Sequence, residues 1–263
     1  MGTRQLALFG PSVPVYVPGE DPAVKCRLRP MRLAAPVAGI LFDMGGVLYD
    51  DTAWRRWLLR LLHQVGLYTH YRSFFRVWDR EFLARVQRGE CLFCEAFHQF
   101  MLSVGLSPAL VDEVEAACQA RRRELEAGIR PLPGVKSTLV RLRQANVVLA
   151  ALNNSDQTTP ALVERLERIG LGGLFGVVLS SIDLQRTKPD PASYQTALEA
   201  MGLPASSVAF VGHDAEELSG ATAVGLQTVA FNFDPDAQAD VFIARFEELA
   251  EILSVRRDMA AAA

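Results

Sequence analysis

The sequence predicts an α/β fold: a doubly wound parallel sheet carrying an inserted helical domain. Three observations lead there. Short apolar runs recur at 37–42, 147–152, 177–181, 208–211 and 228–231, and most stop abruptly at polar residues. That length and composition suits strands buried on both faces. Amphipathic helical patterns separate the later runs, and alternation of this kind builds one parallel sheet through right-handed crossovers. Residues 52–127 show helical spacing throughout and interrupt the alternation after the first strand.

Taken in order, residues 1–35 are expected to be an irregular extension. Pro11, Pro14, Pro18, Pro22 and Pro30 interrupt any element there, although 13–17 could dock as an edge strand. Met31 stands just before the first strand, so this arm is expected to be dispensable or a start-site artefact. Arg27, Arg29 and Arg32 read as a solvated basic face. The first strand then ends at Asp43, followed by Gly45 and Gly46. A carboxylate at a strand's C-terminal end lies where open α/β sheets bind ligands, and glycines let the backbone approach a bound group.

The helical block follows. Trp54, Trp57, Leu58, Leu61 and Leu62 recur at helical spacing, as do Phe74, Phe75, Trp78, Phe82 and Val86. Gly89, Gly105 and Pro108 divide it into several helices. Cys91, Cys94, His98 and Cys118 superficially resemble zinc ligands, but no second paired motif accompanies them. They read as buried structural cysteines. The α/β pattern resumes at 131–134, with a helix marked by Val135, Leu139 and Leu142. Further helices are expected at 160–169, from Pro191 through Met201, and around Gly220, Ala221 and Gly225. Phe242, Phe246, Leu249 and Leu253 mark a last amphipathic helix. The expected division is a core of 36–51 and 131–255, a helical domain of 52–130 and a disordered tail of 256–263.

Composition narrows the function classes. The chain has 263 residues, half of them apolar, which allows one large domain or two modest ones. A net charge of −3 gives no global signature for nucleic acid. No apolar run approaches the ~18 residues of a membrane span. Four cysteines make no disulfide framework and there is no secretory signal, so the expected compartment is the reducing cytoplasm. The expected partner is a small anionic substrate, with no nucleic acid and no membrane, on a monomer or homodimer.

Three strands end in polar clusters: Asp43, Asn153-Asn154 and His213-Asp214. Lys188 precedes a helix that Pro191 helps to start. In a parallel sheet all strand C-termini share one edge, so these groups can converge into an anion-handling site. A lysine beside a carboxylate nucleophile would neutralise both it and a bound anion. Strand-end Asn and Asp are often turn residues; the order and spacing of the whole set carry the signal.

On these residues the chain resembles the haloacid dehalogenase superfamily of hydrolases, in the branch with a helical cap after the first motif. The phrases are LFDMGGVLYD, LAALNNSD, TKPDPASYQTALEAMGL, FVGHDAEELSGATAVGL and PDAQADVFIARFEEL, covering roughly 37–253. The resemblance implies a Rossmann-like core and an Asp43 nucleophile that forms an aspartyl ester, with Lys188 as its partner. It implies substrate-positioning roles for Asn153, Asn154 and Gly46. It also implies a Mg²⁺ site drawing on Asp43, the Gly45 carbonyl, Asp214, His213 and Glu217.

The departures are as informative. Phosphatases of this family usually place Asp two residues after the nucleophile as general acid and base; here that residue is Gly45. Asn153 stands where Ser or Thr is usual, and His213 where Asp is usual; Mg²⁺ prefers oxygen. Loss of a positioned general acid costs ~10²–10⁴ in rate, so phosphomonoester hydrolysis is expected to be slow unless Tyr49, Asp50 or a helix Glu supplies the proton. Three readings follow: a Mg²⁺-assisted phosphatase of a small phosphorylated metabolite, a metal-independent 2-haloacid dehalogenase, and a catalytically silent binding module.

Overall fold

The computed structural model describes residues 33–253. The 13–17 run, Arg27, Arg29, Arg32 and the tail 256–263 lie outside the described residues. Six strands form one sheet: β1 (Gly39–Phe42), β2 (Val148–Asn153), β3 (Val177–Ser180), β4 (Val208–Gly212), β5 (Gln227–Phe231) and β6 (Val241–Ile243). Their order is β3-β2-β1-β4-β5-β6, and every pairing is parallel. The chain builds β1, β2 and β3 outward in one direction, then returns to the far side of β1 with β4. The order therefore reverses between β1 and β4. A crevice opens outside the strand ends at such a switch point.

The alternation of side chains along the strands separates two cores. Ile40, Phe42, Leu149, Ala151 and Val211 pack on one face; Leu41, Ala150, Leu152 and Phe210 pack on the other. Helices α6 (Val135–Gln144) and α7 (Thr159–Arg168) cover the first face through Leu139, Leu142, Leu162 and Leu166. Helices α9 (Pro191–Met201) and α10 (Ala215–Ala223) cover the second through Tyr194, Leu198, Leu218 and Ala221. A short α8 (Ser181–Leu184) follows β3 directly.

Between β1 and β2 the chain forms α1 (Ala53–Gln64), α2 (Tyr71–Val77), a π-helical turn (Trp78–Leu83), α3 (Ala84–Gln87), α4 (Phe93–Ser103) and α5 (Pro108–Ala127). This insertion has its own core, in which Trp78, Phe74, Phe97 and Phe100 are buried against one another. Three polar contacts tie it to the sheet's C-terminal edge. Gln87 donates to the Asn154 carbonyl at 3.1 Å, Arg80 pairs with Glu216 at 2.6 Å, and Arg122 with Asp156 at 3.2 Å.

Two expectations change. Phe242 lies in β6 rather than a helix, and Phe246 follows in a turn; helical structure resumes only at residue 248. The strand is held by Asp240, which accepts from the backbone and hydroxyl of Thr228 on β5 at 2.8 and 3.1 Å. β-branched Val241 and Ile243 suit that position. The cysteines are also less enclosed than expected: Cys94 is exposed, Cys91 and Cys118 are half-buried, and all three are free thiols. Burial pushes the Cys118 thiol up to about 12. No helix of the described residues is long and apolar enough to cross a membrane.

Gly220 links this packing to the site. A Cβ there would stand 2.6 Å from the Pro189 side chain and 2.9 Å from its carbonyl oxygen, so α10 meets the loop after Lys188 without a side chain between them. Gly220→Ala should destabilise the protein by ~1–3 kcal/mol through overpacking, read as a lower urea midpoint. An unchanged midpoint would show that the loop yields freely.

Candidate active site

Asp43 is the first residue beyond β1, and its N–H donates to the Val211 carbonyl of β4 at 2.9 Å. That bond seats its carboxylate at the switch point. The side chain of Lys188 is fully buried beside it, with Nζ donating to Asp43 Oδ1 at 2.6 Å and standing 2.7 Å from Glu217 Oε2. Burial works against the ammonium, but the two carboxylates together hold it above its usual pKa. Burial, reinforced by Asp43 and Asp214 and opposed by Lys188, pushes the Glu217 carboxyl up to about 7. One ammonium thus serves two acids.

Asn154 clamps this arrangement. Its Oδ1 accepts the Lys188 N–H at 2.8 Å, while Nδ2 donates to the Lys188 carbonyl and to Glu217 Oε1, both at 3.0 Å. Both ends of the amide are therefore engaged with the lysine loop. Asn153 is the buried last residue of β2, at the same sheet edge. Asp214 caps α10, accepting the Glu217 N–H at 2.9 Å.

The two glycines make room on the other side of Asp43. Gly46 has φ +70, donates to the Tyr49 carbonyl at 2.9 Å, and its own carbonyl accepts from Asn232 at 2.9 Å. A Cβ at Gly46 would stand 2.8 Å from the His213 ring. His213 uses that space: its Nε2 lies 3.5 Å from Asp43 Oδ2. Burial disfavours its cation, but Asp43, Glu217, Asp234 and Asp51 raise its pKa overall.

Of the groups expected to stand in for the missing acid at Gly45, Tyr49 and Asp50 are engaged elsewhere. The Tyr49 hydroxyl accepts from Arg165 at 3.1 Å, and burial pushes its phenol up to about 12. Asp50 accepts the Thr52 N–H at 2.8 Å and faces Arg56 at 3.6 Å. The carboxyl group beside Gly45 belongs to Asp51. A Cβ on Gly45 would stand 3.0 Å from Asp51 Cγ and 3.5 Å from Oδ1. Asp51 keeps a face open to solvent, yet desolvation by surrounding protein atoms raises its carboxyl pKa against the pull of Arg55 and His213. Sequence reasoning missed it; the one local signal was the doubled Asp50-Asp51 after the glycine turn.

Charge at this end of the crevice fits a cation. Asp43, Asp51, Asp214, Glu217 and Asp234 gather near Lys188 and His213; burial raises Asp51, Glu217 and Asp234, and Asp43, Asp214 or Asp236 add to it. Asp43 and the Gly45 carbonyl would hold Mg²⁺, with Asp214 or Glu217 as further oxygen donors. The tighter His/Asp/Glu grouping among the described residues is elsewhere, at His98, Asp112 and Glu115 in the helical insertion.

Comparison with known proteins agrees with this architecture. The ribulose-1,5-bisphosphate 5-phosphatase of Halopiger xanaduensis is 36% identical over 214 residues, 76% of this chain and 86% of that protein. The phosphoglycolate phosphatase of Pectobacterium atrosepticum is 29% identical over 126 residues, 45% of this chain and 53% of that protein, so this match spans about half the relative's length. The L-2-haloacid dehalogenase of Xanthobacter autotrophicus, solved with chloropropionic acid covalently bound, shares the fold. It has a TM-score of 0.58 at 17% identity, covering 83% of this chain and 98% of that one. The model of the haloacid dehalogenase-like hydrolases matches residues 37–225, a span that holds Asp43, Lys188, Glu217 and the whole helical insertion; the chain is a hydrolase of that family.

Proposed function

We propose that this chain is a phosphatase of a small phosphorylated metabolite, working in the cytoplasm through an aspartyl-phosphate intermediate. The carrying observation is the Asp43–Lys188–Glu217 arrangement at the switch point. Lys188 holds Asp43 Oδ1 at 2.6 Å, which fixes the carboxylate while Oδ2 lies 3.5 Å from His213 Nε2. Asp43 attacks phosphorus, and the ester P–O bond breaks with its electron pair leaving on the alcohol oxygen. Water then attacks the aspartyl phosphate and frees inorganic phosphate. Lys188 and His213 offset the negative charge gathered around phosphorus. Mg²⁺, when bound, adds positive charge against the phosphoryl oxygens. The helical insertion acts as a cap that screens the site from bulk water, tied down through Gln87, Arg80 and Arg122. The extended match to the ribulose-1,5-bisphosphate 5-phosphatase supports a sugar-phosphate-sized substrate. With glycine at residue 45, esters of poor leaving groups turn over slowly unless another group handles the proton.

A small activated aryl phosphate bypasses that need. The wild type should hydrolyse it with Mg²⁺, and Asp43→Asn should lose at least ~10³-fold while keeping its melting temperature. Mg²⁺ should also raise the melting temperature of the wild type by linkage and do so less in the variant. No turnover above the variant would favour a silent binding module. Metal-independent halide release from a 2-haloacid would favour a dehalogenase.

Lys188→Met should remove activity and destabilise the protein by ~3–5 kcal/mol, because two buried carboxylates lose their shared cation. Glu217 has a folded pKa raised to about 7 from 4.5, so its protonated form suits the folded state. The variant's penalty should therefore be smaller near pH 5 and grow as pH rises through about 7. A pH-independent penalty in urea unfolding would contradict this charge balance.

A further inference from the structure

We propose that Asp51 is the proton donor and acceptor of the reaction, acting from the space that Gly45 leaves open; this rests on the phosphatase reading. Gly45 stands two residues beyond the nucleophile and has no side chain to offer. The volume a side chain there would take is filled by the Asp51 carboxyl, with Cγ 3.0 Å and Oδ1 3.5 Å from the Cβ position. The turn explains how residue 51 reaches it. Leu48 N–H donates to the Met44 carbonyl at 2.8 Å and Gly46 N–H to that of Tyr49, folding residues 44–49 back on themselves. Tyr49 then bridges Gly45 on one side and Pro131 on the other, which sets the exit of the chain beside Gly45.

The neighbouring groups are committed elsewhere. Asp50 is held by Thr52, Tyr49 by Arg165, and Glu217 by Lys188 and Asn154. Arg55, the nearest cation on α1, spends its fork on Asp79 at 2.7 and 2.8 Å. Asp51 forms no hydrogen bond or ion pair with another side chain among the described residues, and its carboxyl lies against Gly45, two residues beyond the nucleophile. A carboxyl group so placed can work in both halves of the reaction. In the first, an Asp43 oxygen bonds to phosphorus, the ester P–O bond breaks, and the Asp51 carboxyl gives its proton to the leaving oxygen. In the second, the Asp51 carboxylate takes a proton from water as the water oxygen bonds to phosphorus and the aspartyl ester breaks. Alcohol and inorganic phosphate leave, and Asp51 regains its proton.

The test is single-turnover phenol release from substituted phenyl phosphates whose phenols span a range of acidity, with wild type and Asp51→Asn. This reads the first half-reaction alone. The wild type should depend weakly on phenol acidity. Asp51→Asn should lose ~10²–10⁴-fold on the least acidic phenol and less than about tenfold on nitrophenol. Asp51→Ala should show the same selective loss, and adding Gly45→Asp to it, in the volume it vacates, should restore part of the activity on the least acidic phenol. Because Asp51 has an exposed face and lies outside all three cores, the variant should keep its melting temperature. An equal loss across the series, or none, overturns the role of Asp51 while leaving the phosphatase reading intact. Absence of phenol release from the wild type overturns both.

Discussion

The buried Lys188 ammonium, shared between Asp43 and Glu217, is the interaction on which the rest of the site depends. A cation removed from water costs several kcal/mol unless opposing charges stand close and hydrogen bonds complete its surroundings. The fold meets that requirement from four directions. β1 delivers Asp43, α10 delivers Glu217, Asn154 after β2 grips the lysine backbone, and Phe210 of β4 lies 5.4 Å beneath Nζ. Each element is set by something other than the site. The helix starts where Asp214 caps it, and the loop sits close because Gly220 permits it.

The same cluster holds more acid than base, and this surplus shapes its chemistry. Burial, with Asp43 and Asp214 adding to it and Lys188 opposing it, pushes the Glu217 carboxyl up to about 7. His213 stands 3.5 Å from Asp43 Oδ2, and the Asp51 carboxyl lies beside Gly45. A bound cation would offset that surplus before an anionic substrate enters.

Much of this was legible in the sequence. Buried strands show as apolar runs, and their polar ends at Asp43, Asn153 and His213 mark the sheet edge because parallel strands all finish on one side. Lys188 was legible through its Pro-rich helix start. What stayed hidden depends on distance in space. Phe242, Phe246, Leu249 and Leu253 repeat every three or four residues, so a three-residue strand at Val241–Ile243 leaves no period-two trace. Asn154 looked like a substrate ligand because its amide chemistry is general; only the fold shows both ends engaged by Lys188 and Glu217. Tyr49 and Asp50 were as plausible as Asp51 along the chain. The difference lies in which side chain fills the gap above Gly45, and that is decided by a turn folding back on itself.

The helical insertion leaves the sheet and rejoins it through a narrow neck. Tyr49 on the outgoing segment bridges Pro131 on the returning one, and the Leu132 N–H donates to the Leu48 carbonyl at 3.0 Å. Both ends of the inserted segment therefore meet at one place, so closing that long loop asks little of the sheet. Segments with adjoining ends are the ones a host domain tolerates most readily. The helices between carry an independent core of Trp and Phe. Seen this way, a change inside the insertion's own core has a short path by which to disturb the strands, the lysine and the nucleophile: the neck and the few polar contacts at the sheet edge.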